Sequence, residues 1–306
     1  MRIVYMGTPD FAVPALTCLY ERGHEILCAV SQPDKPQGRH AVTVPTPVRK
    51  EAERLGIPVL QPVKATDPSF LEKIREMAPD AVVVAAYGKI LRKAFLDIPK
   101  YGCINIHASL LPKYRGSAPI QQAVINGDEK TGITIMKLDE GMDTGGILLQ
   151  KEVTIDPEET GGSLFEKLSL IGGPLCDEAL RALENGTLTP KPQDESLATM
   201  APPLTKEMGE MNFEKEAAEL ERLVRGLSPW PGTYTLVNGK LLKIHKVSVC
   251  EESFGEVPGT FLPGNSELIV VCGKGTALRI TELQMEGKKR MSAEEFLRGQ
   301  RKVFME

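Results

Sequence analysis

Two residues two positions apart, Asn105 and His107, close the short apolar run CINIH. On an extended strand such residues project from one face, so the amide and the imidazole would stand side by side. An amide donor beside an imidazole suits a reaction in which negative charge grows on a carbonyl oxygen while a proton moves. The segment ASLLP follows, and its proline ends any regular continuation. A second group lies in LDEGMDTGGIL, residues 138–148, a glycine-rich turn carrying Asp139 and Asp143. Gly and Asp are what tight turns use, so a turn with two solvated aspartates is the plain interpretation. The alternative brings one carboxylate beside His107, where it would hold the ring's tautomer and stabilise its protonated form. A lone histidine at a strand end is more often structural, so neither group decides the chemistry alone.

Several other chemistries lose their support. The turn after the first apolar run reads GTPDFA, with one glycine and a proline where a dinucleotide site needs G-x-G-x-x-G, so NAD is not expected. There is no G-x-x-x-x-G-K-[ST], G-x-S-x-G or H-E-x-x-H, the signatures of phosphoryl transfer, serine hydrolysis and zincin chemistry. The six cysteines are scattered without a C-x-x-C pair, several inside apolar runs such as EILCAV and LIVVCG. Buried free thiols in a reducing cytoplasm are expected, with no disulfide and no metal site. The opening MRIVYMGTPDF lacks the apolar stretch of a secretion signal, and no run approaches 18 apolar residues, so no membrane association is expected.

The elements that must position these groups follow from pattern. At about 150 residues per domain, 306 residues suggest two. Over residues 1–150, apolar runs (RIVYM, EILCAV, DAVVVAAY, CINIH, GITIMKL) alternate with helical stretches. That alternation predicts an α/β fold, a Rossmann-like, mostly parallel sheet with helices on both faces and its site at the C-terminal strand ends. Thr160 to Ala182 reads as a long helix with a kink or break near Gly172-Gly173-Pro174. Residues 190–206, rich in Pro, Thr and polar side chains, read as a linker between domains at 1–189 and 207–306. Beyond a helix around Phe213 to Arg225, strands at TYTLV, LLKIHKVSV, ELIVVC and ALRITEL, with an Asn238-Gly239 turn, suggest a small OB-like barrel. Net charge is −4, but residues 222–306 carry 13 basic and nine acidic side chains, so the tail alone is mildly basic; it could meet phosphates, although solvated surface is the commoner reading. No long exposed apolar helix is evident, and a monomer is expected.

Taken together, NIHASLLPKYRGSAPIQQAVINGDEKTGITIMKLDEGMDTG strongly resembles the formyltransferase family that uses 10-formyltetrahydrofolate. The Asn and His two apart, the SLLP loop and the D-x-G-x-D-T-G turn are present without departure, and the likeness runs through most of residues 1–206. The resemblance implies the formyltransferase fold, 10-formyltetrahydrofolate as donor and tetrahydrofolate as product. It implies Asn105, His107 and Asp143 as the catalytic set, and Ser109, Leu110, Leu111 and Pro112 as the loop holding the folate. The opening MGTPDFA and the basic tail are similar to those of members whose acceptor is initiator methionyl-tRNA. Such members insert a loop after the second strand that enters the acceptor stem. Here it reads PDKPQGRHAVTVP, where Arg39 matches the important arginine and Lys35 lies nearby. Lys240, Lys243, Lys246, Lys288, Lys289 and Arg290 would then meet tRNA phosphates. The same chemistry on a glycinamide ribonucleotide or an amino-sugar nucleotide is the nearest rival, and the basic tail argues against it. A non-catalytic RNA-binding protein would have no need of Asn105, His107 and Asp143 together.

Overall fold

The computed structural model describes residues 1–37 and 42–305. Arg39, with its neighbour His40, lies outside the described residues. The chain divides into two compact units. Met1–Pro119, Lys130–Thr154 and Phe165–Ala201 make the first, and Ile120–Glu129, Ile155–Leu164 and the chain from Pro202 onward make the second.

The strands of the first unit are β1 (Arg2–Gly7), β2 (Glu25–Val30), β3 (Lys35–Gln37), β4 (Val42–Val44), β5 (Val59–Leu60), β6 (Ala81–Ala85), β7 (Cys103–His107), β8 (Arg115–Gly116), β9 (Lys130–Lys137), β10 (Ile147–Thr154) and β11 (Met200–Ala201). Helices α1 (Val13–Glu21), α2 (Pro47–Arg54), α3 (Pro68–Met77) and the short α4 (Lys93–Leu96) belong to it entirely, whereas α5 (Pro119–Asn126) and α6 (Gly161–Glu184) are shared with the second unit. Helix starts follow local chemistry. Thr46 accepts the N–H of Arg49 and Asp67 that of Ser69, each with proline at the first helical position of α2 and α3.

Seven strands form one sheet in the order β10-β9-β7-β6-β1-β2-β5. The five from β5 to β7 run parallel, and the central β6 is buried along its whole length. Val4, Met6, Val82 and Val84 pack under Phe70, Ile74 and Phe95 as the core of one face. The GITIMKL run departs from the parallel pattern that its alternation with helices predicts. It lies in β9, antiparallel to β7 with His107 opposite Thr134, and β10 returns antiparallel beside it. From β9, Thr134 bonds to the loop that leaves β7.

Helix α6 also differs from expectation, because it continues through Gly172-Gly173-Pro174 without a break. The glycines serve close approach. A Cβ at Gly172 would stand 2.7 Å from Ile106 of β7, and one at Gly173 2.7 Å from the Cβ of Cys18 in α1.

The second unit holds α7 (Ala217–Gly226), β12 (Thr233–Val237), β13 (Lys240–Val249), β14 (Phe261–Pro263), β15 (Leu268–Val271), β16 (Ala277–Met285), β17 (Met291–Ser292) and α8 (Ala293–Gln300). Its strands pair antiparallel as β12-β13-β16-β15-β14, with β17 also on β16, in a curled half-barrel. Asn238 and Gly239 both take positive φ, the type I′ pattern of a two-residue hairpin. Leu220 and Val224 of α7 pack with Leu242, Ile244, Leu278, Ile280 and Phe296 as its core.

Residues 191–201, inside the stretch that the composition marks as a linker, pair within the first unit. Lys191 bridges Ile147, and β11 lies parallel to β8.

Candidate active site

Asn105 and His107 are both buried at the end of β7, 9% and 6% exposed. Among the described residues the Asn105 amide makes no side-chain hydrogen bond. His107 is held twice. Its Nε2 lies 2.9 Å from the main-chain oxygen of Tyr114. A carbonyl only accepts, so Nε2 carries hydrogen and the neutral ring keeps its lone pair on Nδ1. Nδ1 faces Asp143, whose Oδ2 is 3.7 Å away and accepts the N–H of Gly116 at 2.8 Å. The tautomer is thus set by the Tyr114 carbonyl, while Asp143 is placed to stabilise the ring once Nδ1 gains a proton.

Of the two aspartates in the glycine-rich turn, Asp139 builds the turn. Its Oδ1 accepts from the Gly141 N–H and the Thr144 hydroxyl. Asp143 is the one brought to the histidine. Both supports of the pair come from the short stretch Tyr114–Gly116. Gly116 has φ +116, and a Cβ there would stand 2.5 Å from the oxygen of Ala201, so this position requires glycine.

The ASLLP loop is tied down from the antiparallel strands. Thr134 of β9 donates its hydroxyl to the Ser109 oxygen at 2.6 Å and accepts the Leu111 N–H at 3.1 Å. Gln150 of β10 donates to the Leu111 oxygen and to the Thr134 hydroxyl, both at 2.9 Å. Ser109 is fully buried and donates to the Lys113 oxygen, and Leu111 is 3% exposed. Leu110 and Pro112 are half-buried, so they are the two side chains of this loop that keep accessible surface. Thr134, Gln150 and the Tyr114 carbonyl escape a reading by motif, since single polar residues within strands and main-chain oxygens carry no signature.

Arg115, 5% exposed, is an unforeseen buried charge of the site. It binds Glu195 through both terminal nitrogens at 2.8 and 2.7 Å, and donates to Gln193 Oε1 from Nε and Nη2. Gln193 in turn donates to the main-chain oxygens of Asp143 and Gly145 at 2.7 and 2.8 Å.

In the second unit Lys240, Lys243, Lys246, Lys288, Lys289 and Arg290 are all exposed, and in the first Lys35 is exposed on β3. Lys243 lies opposite Gln284 and Lys246 opposite Glu282 across the β13–β16 pair. Arg290 Nε donates to the same Glu282 at 2.7 Å. Lys288 and Lys289 sit in the loop between β16 and β17. The structure therefore sets Lys246 opposite Glu282, which Arg290 binds, and Lys243 one pair along the same face, and leaves the other three at strand ends and loops.

A sheet of this topology, ending one central strand in an amide and an imidazole faced by a carboxylate, is that of a formyl transferase. Residues 1–175 match the family described as formyl transferase and residues 203–301 the formyl transferase C-terminal domain, so the chain belongs to that family. A Geobacter metallireducens protein named methionyl-tRNA formyltransferase is 50% identical over 299 residues, 98% of this chain and 96% of its own. A Lachnospira eligens protein of the same name is 50% identical over 306 residues, 98% of this chain and 96% of its own. The fold is shared with an N-formyltransferase from Helicobacter canadensis, solved with folinic acid and dTDP-3-aminofucose. That structure has a TM-score of 0.69 at 18% identity, covering 91% of this chain and 98% of its own.

Proposed function

We propose that the chain transfers a formyl group from 10-formyltetrahydrofolate to the α-amino group of methionine on initiator methionyl-tRNA. The observation that carries this reading is the Asn105 amide, buried beside His107 and without a hydrogen bond among the described residues. It is a donor kept for the formyl oxygen. As the amine nitrogen adds to the formyl carbon, charge gathers on that oxygen, and a fixed amide stabilises it more than water would. The amine must shed a proton, and the His107 Nδ1–Asp143 Oδ2 pair is the basic group of the site. A free α-amine titrates near about 7.7–8.0, so a useful neutral fraction exists at neutral pH. The bond from the formyl carbon to the folate nitrogen then breaks, and that nitrogen takes up a proton as tetrahydrofolate leaves.

Leu110 and Pro112, on a loop anchored through Ser109 and Leu111, would line the folate site. Lys35 and Arg39 would meet the acceptor stem, and the basic residues of the second unit the tRNA phosphates. The domain built on β12–β17 would be the tRNA-binding part. Six free thiols suit a cytoplasmic enzyme, and among the described residues no helix is long and apolar enough to cross a membrane.

The test mixes the protein with 10-formyltetrahydrofolate and either charged initiator tRNA or a charged elongator. Formylation of the initiator alone is expected. Equal use of both, or formylation of an amino-sugar nucleotide instead, would overturn the reading.

A further inference from the structure

We infer that Gln193, which lies outside both the CINIH strand and the glycine-rich turn, is a positioning residue for the Asp143 carboxylate. This inference rests on the role of Asp143 given above. Two non-glycine residues of the site hold left-handed backbone, Tyr114 at φ +62 and Asp143 at φ +53, a conformation that L side chains adopt only when their surroundings impose it. Both are held by the segment 191–201. Gln193 donates through Nε2 to the main-chain oxygens of Asp143 and Gly145, the two carbonyls that bracket Thr144. Thr199 Oγ1 accepts the Tyr114 N–H at 2.9 Å, and the Thr199 oxygen accepts the N–H of Arg115.

Gln193 is itself fixed. Its Oε1 faces the Nε and Nη2 of Arg115, a guanidinium buried to 5% exposure and closed on its far side by Glu195. An amide accepting two donors on one side and supplying two on the other has one workable orientation, so its donors stay aimed at the Asp143 turn. The N–H of Gly116 fixes Oδ2 directly, while Gln193 fixes the backbone from which the side chain springs. Without Gln193 the turn loses both carbonyl anchors, and the 3.7 Å approach of Oδ2 to Nδ1 is no longer maintained. A displacement of about 1 Å in a group that handles a proton costs on the order of 100-fold in rate.

The test measures steady-state formyl transfer by the full chain. For Gln193→Leu, kcat should fall by about 10- to 100-fold, with KM for the folate donor and for the charged tRNA essentially unchanged. In an Asp143→Asn background the same change should cost nothing further, because Gln193 acts through Asp143. Gln193→Glu, which keeps the oxygen facing Arg115 and loses the donors, carries the same expectation should the leucine variant not fold. Wild-type kcat in Gln193→Glu, or a loss as large in the Asp143→Asn background as in the parent, would overturn the inference. Wild-type turnover by Asp143→Asn itself would overturn the site reading, and this inference with it.

Discussion

The two units handle charge in opposite ways. The first buries it. Asp143 faces His107 and the N–H of Gly116, Arg115 is enclosed by Gln193 and Glu195, and Asp177 is held by His24 at 2.8 Å and by Arg22 and Arg181 at 2.9 Å each. The second spreads charge over one exposed sheet face, where Lys243 and Lys246 face Gln284 and Glu282 and Arg290 binds Glu282. Removing one partner of a buried pair costs about 3–5 kcal/mol, whereas exposed pairs are worth roughly 0.2–1 kcal/mol. The first unit therefore holds these charges by geometry, each fixed by specific hydrogen bonds. Exposed charge of this kind acts by summation, tolerant of small displacements and sensitive to salt.

The sharpest test of this contrast is Asn105→Ala. Losing one donor to a developing oxyanion should lower kcat by about 10²–10³, roughly 2.7–4 kcal/mol, with tRNA affinity unchanged in filter binding. Turnover near the parent value would erase the distinction. Asp177→Asn comes next and should reduce stability at neutral pH by about 3 kcal/mol, read from denaturant melts. Burial alone would push this carboxyl up, but hydrogen bonds from His24 and Arg22 and the charge of Arg181 outweigh it and hold it below the ordinary value. A depressed carboxyl stabilises fully above the unfolded pKa of about 3.9 and loses that contribution as pH falls through its folded value. The gap between parent and variant should therefore close as melts are taken from pH 7 toward pH 3. A gap that widened on acidification would refute the assignment.

Smaller effects belong to the exposed face. Lys243→Ala combined with Lys246→Ala should weaken tRNA binding about tenfold at low salt and reduce the slope of log K against log salt by about two. Glu282→Gln should act with the opposite sign, since it frees Arg290 and removes an acid from the phosphates' path. An unchanged salt slope in the double variant would mean that this face does not meet phosphates. The smallest effect is expected from thiol reagents. Burial pushes the Cys28 and Cys103 thiols up to about 12 and Cys272 up to about 11, so the thiolate needed for attack is scarce. Half-buried Cys18 should be the first to react with a disulfide reagent at pH 8. Rapid reaction of several thiols in the folded chain would show that neither core is dry.

Much of this was legible because the informative patterns are local. CINIH and EILCAV became strands with the bounds that their apolar runs predict. The Asn238-Gly239 turn marked its hairpin for the same reason, as few residues tolerate two positive φ values in succession. Strand β10 was missed, because ILLQKEVT has one exposed side and no clean alternation. Gly172-Gly173-Pro174 misled, since glycine reads as a breaker unless the neighbours that crowd it are known. The stretch containing Gln193 and Thr199 reads as a linker from composition, yet it supplies contacts to both left-handed residues of the site. Its polar side chains bond to main-chain groups far away in sequence, and no composition reports that.

By itself, the sequence determined which side chains can do the chemistry. Asn105 and His107 share a strand face because the β repeat is two, and an amide beside an imidazole can serve only a narrow set of reactions. It also determined that the basic residues collect in the tail, since charge is a property of composition. The family resemblance singled out Asp143, but only the tertiary structure shows it reaching the histidine, the Tyr114 carbonyl setting the ring's tautomer, and Gln193 bonded to the turn. Those are contacts between residues 36, seven and 50 apart in the chain or joined through main-chain oxygens, and their worth depends on tenths of an ångström. Residue type supplies the functional group, but hydrogen-bond strength falls steeply with distance and angle, and the fold alone sets those.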